Sequence, residues 1–207
     1  MSMRYHAHMA RLTRAESQAQ TRAQLLETAR QLFFADGYHA TTLEKVADAA
    51  GFSKGAVYSN FRNKDELCAA VLDEVRAENI AEVLELTAAA DSGDRLDLFR
   101  AWAQRVIGDP GWTTLEAEFA AHARRDDALR GELAARIDGV VSMLVAGVST
   151  LDDVQPQLPT RELATVVLAA GVGLGMFRAI DPTVPVDGLV DILGMLIGRP
   201  APARPAS

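Results

Sequence analysis

Apolar positions recur along this chain at the three- and four-residue spacing of helices, in segment after segment. Leu25, Leu26, Ala29, Leu32 and Phe33 make one stripe, which predicts a first helix from about Ser17 to Ala35, ended by Asp36-Gly37. Leu43, Val46, Ala47 and Ala50 make the next. Thr41 stands three residues before Glu44, the spacing of a capping box, and Gly51 supplies a left-handed stop. Phe52 plugs the turn, Ser53 caps a very short helix starting at Lys54, and Val57 and Phe61 turn back to the core. Asn63, with Glu66 three residues on, opens a fourth helix to about Ala88 with Leu67, Val71, Leu72, Val75, Val83 and Leu84 apolar.

The remainder reads the same way. A fifth helix is expected from about Arg95 to Ile107 and a sixth from about Thr114 to Arg124, separated by the turn Gly108-Asp109-Pro110-Gly111. A seventh follows Asp126-Asp127, with Leu129, Leu133, Ile137, Val140 or Val141, Leu144 and Val148 repeating, and residues 151–159 form a loop. The eighth, from Thr160 to about Ile180, is apolar nearly all round, with Arg178 its one charge beyond Glu162. Such a helix must be covered on two sides. The ninth, about Val186 to Ile197, again carries more apolar surface than one side can use, so the last two helices read as a dimer interface. A membrane span is not expected there, because Arg178 interrupts the segment. Residues 1–15 read as a flexible basic arm or an upstream extension, and residues 199–207, rich in Pro and Ala, as a disordered tail.

A helix, a turn of about four residues and a second short helix is the helix-turn-helix arrangement, whose second helix fits the DNA major groove. An ordinary helical hairpin has the same spacing. Charge separates the two readings. The chain's net charge is −7, but residues 1–64 hold nine Lys/Arg and five Asp/Glu, a balance of +4, which leaves −11 for residues 65–207. A basic module on an acidic body attracts phosphates with one part of the molecule and is repelled by the other. Lys54, Tyr58, Ser59, Asn60 and Lys64 are donors on or beside the short helix, and Gly55 permits close approach of its backbone. Arg22 and Tyr38 are further candidates for the DNA backbone, and the positive N-terminus of the fourth helix is a candidate phosphate site.

The run from Ala29 to Leu67 resembles the DNA-binding domain of the tetracycline-repressor (TetR) family of transcriptional regulators. The shared features are F-x-x-x-G-Y at Phe33–Tyr38, Thr41-Thr42, A-x-x-A-G-F-S-K-G at Ala47–Gly55, and Y-x-x-F-x-x-K at Tyr58–Lys64. The resemblance implies an all-α protein: a helix-turn-helix DNA-binding domain (residues 16–63) and a helical ligand-binding and dimerisation domain (residues 64–198). It implies Thr42, Tyr58 and Lys64 as phosphate contacts, and Ser53, Lys54, Gly55, Ser59 and Asn60 where family members meet bases or adjacent phosphates. It also implies a homodimer paired through the last two helices, a palindromic double-stranded operator, and a small-molecule effector among the fourth to eighth helices. Trp102, Trp112, Phe119, His122, Met143, Met176 and Phe177 are the candidate lining residues, with Glu118 beside His122 as a further polar group.

There is no G-x-S-x-G, H-E-x-x-H, C-x-x-C or phosphate loop, and Gly171–Gly175 is not G-x-G-x-x-G, so neither an enzyme nor a cofactor or metal site is expected. The remaining alternative is a protein without DNA binding, either a non-catalytic helical interaction module or a cryptic small-molecule-modifying enzyme built on scattered Asp, Glu and His. The single Cys68 precludes an internal disulfide, and with no secretory leader expected it points to the cytoplasm.

Overall fold

The computed structural model describes residues 13–91, 94–151 and 154–197, and all regular structure among them is helical. The helices are α1 (Arg14–Ala40), α2 (Leu43–Ala50), α3 (Lys54–Asn60), α4 (Lys64–Ala88), α5 (Arg95–Val106), α6 (Pro110–Ala123), α7 (Asp127–Val148), α8 (Thr160–Ile180) and α9 (Asp187–Leu196). Most of the expected arm and all of the expected tail lie outside the described residues.

Several boundaries move for identifiable reasons. α1 starts three residues before Ser17, because Thr13 and Glu16 make a capping box: Thr13 Oγ1 accepts from Glu16 N, and a Glu16 oxygen accepts from Thr13 N at 2.7 Å. Gly37 breaks α1 without ending it; at φ 80°, ψ 176° the chain kinks and then turns on to Ala40. The cap of α2 is Thr42 rather than Thr41: Thr42 Oγ1 accepts from Lys45 N, while Thr41 is buried and donates its hydroxyl to Gly37 O at 2.9 Å. α6 absorbs part of the expected turn, since Pro110 occupies its first position, where no N–H is required, and Asp109 caps it. Gly51 (φ 73°), Ser53 and Asn63 act as expected.

Two cores hold the helices. In the larger, Leu25, Ala29 and Phe33 of α1 meet Val46, Ala47, Val57, Phe61 and the first turns of α4. Leu115, Phe119 and Ala123 of α6 and Leu129 of α7 belong to it too, so the N-terminal three-helix unit shares its interior with the body across residues 63–64. α6 packs along α1 more extensively than any other pair of helices does. The smaller core joins Ala103 and Ile107 to Val186 and Leu189.

α8 is covered by its own chain on one side only. Within one chain only Leu163, Ala164 and Gly175 are buried, while Val166, Met176, Phe177 and Ile180 stand exposed, Phe177 at 66% and Ile180 at 85%. Ile192 and Met195 of α9 are exposed as well. One side of the pair is covered by the chain and the other is open. By length and composition α8 is apolar enough to cross a membrane, the one such helix among the described residues. Its charge is used internally: Arg178 donates from Nε to Ile107 O at 2.6 Å, from Nη2 to Gln104 O at 3.1 Å and from Nη1 to Val184 O. The bonds to Gln104 and Ile107 cap the C-terminal end of α5, whose last carbonyls lack partners in the helix itself, and the bond to Val184 ties in the turn before α9. Gly108 (φ 90°) sits where any Cβ would collide with the Arg178 side chain.

Candidate nucleic-acid interface and effector cavities

α2 and α3 form a helix-turn-helix whose inner face is closed. Val46, Ala47, Val57 and Phe61 are buried, and the turn is held by Phe52 N donating to Ala47 O at 2.9 Å. The outer face carries Thr42, Ser53, Lys54, Gly55, Tyr58 and Ser59, all exposed. Ser53 and Thr42 are caps of α3 and α2, so their oxygens are engaged by the helix N-termini. Tyr58 donates its hydroxyl to Glu44 Oε1 at 2.9 Å, which raises the phenol's pKa. The Glu44 backbone N–H, followed by that hydroxyl, lowers the carboxyl's pKa, so Glu44 stays anionic at neutral pH. A phosphate approaching Tyr58 must therefore take the hydroxyl from a carboxylate.

Asn60 is half-buried and donates from Nδ2 to Ala56 O at 2.8 Å, one turn back. Its backbone oxygen accepts from Arg22 Nη1 at 2.7 Å, and the Arg22 guanidinium lies 4.2 Å from the Phe61 ring centroid. Arg22, a candidate for a phosphate, thus fastens the C-terminus of α3 onto α1. Tyr38, another such candidate, is buried: its hydroxyl donates to Asp65 Oδ1, and burial first, then that bond, pushes the phenol far above its ordinary pKa. Lys64 Nζ donates to Tyr38 O at 2.9 Å and sits 4.1 Å over its ring, leaving part of its donor capacity for a phosphate. The α4 N-terminus is less open to an anion than its dipole suggests. Asn63 Oδ1 accepts from Glu66 N, and Asp65 and Glu66 place two carboxylates in the first turn. The Arg62 side chain holds Glu66 below the usual carboxylate pKa.

Behind this unit, Glu118 and His122 of α6 face the DNA-binding side. Glu118 Oε2 accepts from Tyr38 N at 2.6 Å, and His122 Nε2 lies 3.3 Å from Asp65 Oδ1 with its ring 4.9 Å from that of Tyr38. Neither residue lines any of three cavities found in the body. These cavities are of about 140, 140 and 460 Å³. The first lies among α4, α5, α7 and α8, bordered by Leu84, Phe99 and Leu144. Trp102 and Trp112 line the second; Phe119 and Met176 line the third. Met143 and Phe177 line none of the three and are exposed on the outer surface. The Arg76–Glu116 ion pair (2.6 Å) stands in the wall shared by the second and third. These partners escape sequence reasoning because they lie 40 residues apart; a charge on an otherwise apolar helical face was the available signal.

The bacterial regulatory proteins of the tetR family match residues 25–71, from the inner face of α1 through the first turns of α4. The HTH-type transcriptional regulator ArpR of Pseudomonas putida is 40% identical over 89 residues, covering 43% of this chain and 40% of its own length. The HTH-type transcriptional repressor Rv1474c of Mycobacterium tuberculosis is 30% identical over 158 residues, 62% of this chain and 84% of the relative. Among solved structures, a TetR-family regulator from Rhodococcus sp. superposes with a TM-score of 0.72 at 19% identity, covering 87% of this chain and all of the other. The chain belongs to the TetR family of transcriptional regulators. It spans about two fifths of the length of the pseudomonad relatives that it matches.

Proposed function

We propose that this chain is a ligand-responsive transcriptional regulator that binds a palindromic operator as a homodimer. The observation that carries the reading is the α2–α3 unit: its apolar side is closed, and Lys54, Gly55, Tyr58 and Ser59 stand together on the open side. Lys54 at the exposed start of α3 is suited to a guanine edge, with Ser59 and Gly55 beside it, while Thr42, Tyr58 and Lys64 take phosphates. Ser53 and Asn60 act mainly by shaping α3, given the bonds that they make within it. Residues 16–63 form the DNA-reading unit and residues 64–198 the effector-binding and dimerising body. A protein with this task works where the chromosome is, in the cytoplasm.

One seven-residue helix reaches few bases, so two copies are needed to read an operator. The open faces of α8 and α9 supply the pairing surface: Val166, Phe177, Ile180, Ile192 and Met195 are apolar and uncovered. The tethering of Arg178 to α5 and the close approach of Gly175 to Gly108 mark α8 as part of a folded body rather than a membrane span. The effector enters the body's cavities, with Trp102, Trp112, Phe119 and Met176 among the walls. Because α4 and α6 line these cavities and also contact α1, an occupant that moves them changes the spacing of the two reading heads. A preference of about 3 kcal/mol for the wrong spacing weakens operator binding roughly a hundredfold. The mycobacterial relative is named a repressor, and we assign the same sign of action here.

Selection of bound genomic fragments tests the reading. The dimer should enrich particular palindromes, with affinity falling steeply as salt rises. Tyr58→Ala and Lys64→Ala should weaken all sites alike, whereas Lys54→Ala should also alter site preference. Binding without sequence selectivity would overturn the proposal.

A further inference from the structure

The outer face of the reading unit carries a carboxylate among its donors. Glu44 lies in the first turn of α2, next but one to the Thr42 cap. Its Oε1 accepts the Tyr58 hydroxyl at 2.9 Å, from a residue fourteen positions away on α3. The Glu44 backbone N–H, that phenol, the Thr42 hydroxyl and the charge of Lys54 together favour the anion. Thr42 can serve twice, because its oxygen accepts from Lys45 N while its proton remains for the carboxylate. A DNA phosphate is also an anion rich in acceptor oxygens, and hydroxyls, cationic side chains and N–H groups at a helix start are its usual ligands. The groups gathered around Glu44 are of those kinds.

We propose that Glu44 is a built-in competitor for a DNA phosphate: its carboxylate occupies the hydroxyls of Tyr58 and Thr42 and must be displaced before the reading unit closes on the backbone. The inference rests on the reading that this face binds DNA, and it assigns to Glu44 the setting of affinity. Phosphate contacts carry no base information, so the competition lowers the hold on operator and on other DNA alike. Its use is to keep the regulator from being trapped on the excess of non-operator DNA, where binding is electrostatic.

The fold does not need this bond. Tyr58 is 51% exposed, and α3 is fixed from its other side by Val57 and Phe61, both buried. The cap of α2 is already made by Thr42, and the favourable place of a carboxylate in a first helical turn does not require a tyrosine from the next helix. What the Tyr58–Glu44 bond changes is the state of the DNA-facing donors.

Fluorescence anisotropy of the full-length dimer tests this on two duplexes, one of scrambled sequence and one carrying a genomic fragment that the protein selects. At low salt Glu44→Gln and Glu44→Ala should bind both about tenfold more tightly, roughly threefold per head, the scale of one exposed charge interaction. The gain should shrink as salt rises, because it is electrostatic. Glu27→Gln removes the same charge from α1, where the carboxylate accepts from Gln31, and should gain less than about twofold. Tyr58→Phe should cost more affinity in the Glu44→Ala background than in the unaltered protein, since only there is the hydroxyl idle before DNA arrives. Unchanged or weaker binding by both Glu44 variants overturns the inference, as does a gain that ignores salt or is matched by Glu27→Gln. A salt-sensitive gain on the scrambled duplex, in a protein that selects no fragment, keeps the inference and overturns the operator reading. If the unaltered protein binds neither duplex, both fall.

Discussion

Glu118 on α6 and Tyr38 at the kink of α1, eighty residues apart, are joined by a 2.6 Å hydrogen bond from the Tyr38 backbone N–H to the Glu118 carboxylate. The kink frees that N–H from helical bonding, and the carboxylate supplies the acceptor it would otherwise lack. A Cβ on Gly37 would lie 2.9 Å from Glu118 Oε2. The glycine therefore serves both the positive φ and the approach of the carboxylate.

Glu118→Ala should lower stability by about 1–3 kcal/mol, because the charged acceptor is lost and a half-buried N–H is left unpaired. Gly37→Ala should cost a similar amount through strain at φ 80° and displacement of the carboxylate. Urea unfolding measures both. Glu118→Gln keeps an acceptor oxygen and should fall between the unaltered protein and the alanine variant.

Arg22 makes a second prediction about positioning. Its guanidinium grips Asn60 O and covers Phe61, so Arg22→Ala should loosen the end of α3 and reduce operator affinity about tenfold without changing which sequence is preferred. Arg22→Lys should recover only part of the loss, since lysine lacks the planar guanidinium that bonds the carbonyl through one nitrogen while its face covers the Phe61 ring. Competition binding on matched and mismatched sites reads both quantities.

pH dependence follows from two buried protons. Burial raises both the Tyr38 phenol and the Cys68 thiol well above their ordinary values of 10.0 and 9.0, the Asp65 hydrogen bond adding to the first and Asp65's charge to the second. Each contributes stability that is complete below its unfolded pKa and is lost as pH rises toward the folded one, because the unfolded chain then binds fewer protons. Stability should therefore decline above about pH 9. The double substitution Tyr38→Phe with Cys68→Ala should flatten that decline in denaturant titrations at pH 8 and pH 10.5. The same burial keeps the thiol unreactive: a disulfide reagent at pH 8 should label Cys68 only on unfolding.

The open side of α8 is tested by charge. Phe177→Glu or Ile180→Glu alters residues that touch little within one chain, so the monomer should keep its helicity and lose less than about 0.5 kcal/mol of stability. Sedimentation should show dissociation, and operator affinity should fall by more than tenfold as two reading heads become one. A dimer that persists in both variants would move the interface elsewhere.

The helix-turn-helix was the most legible part of the chain. Its caps and stops act within four residues, so Ser53, Asn63, Gly51, Val57 and Phe61 do in the structure what their spacing predicts. The errors there are local ambiguities: Thr41 and Thr42 are adjacent and chemically alike, and only the buried bond from Thr41 to Gly37 shows which one caps α2. Legibility drops where a partner comes from far along the chain. Arg22 and Tyr38, read as exposed donors, are structural, and His122, read as a cavity residue, faces Asp65.

By itself the sequence determined the number and order of the helices, the closed face of the reading unit and the basic-to-acidic split, because periodicity, capping and charge are properties of neighbouring residues. Only the tertiary structure decided which donors of the helix-turn-helix stay exposed, which side of α8 stays uncovered, and that both tryptophans line one cavity. Those outcomes depend on which surfaces meet across forty to eighty residues, and helical spacing records that a face is apolar without recording what will cover it.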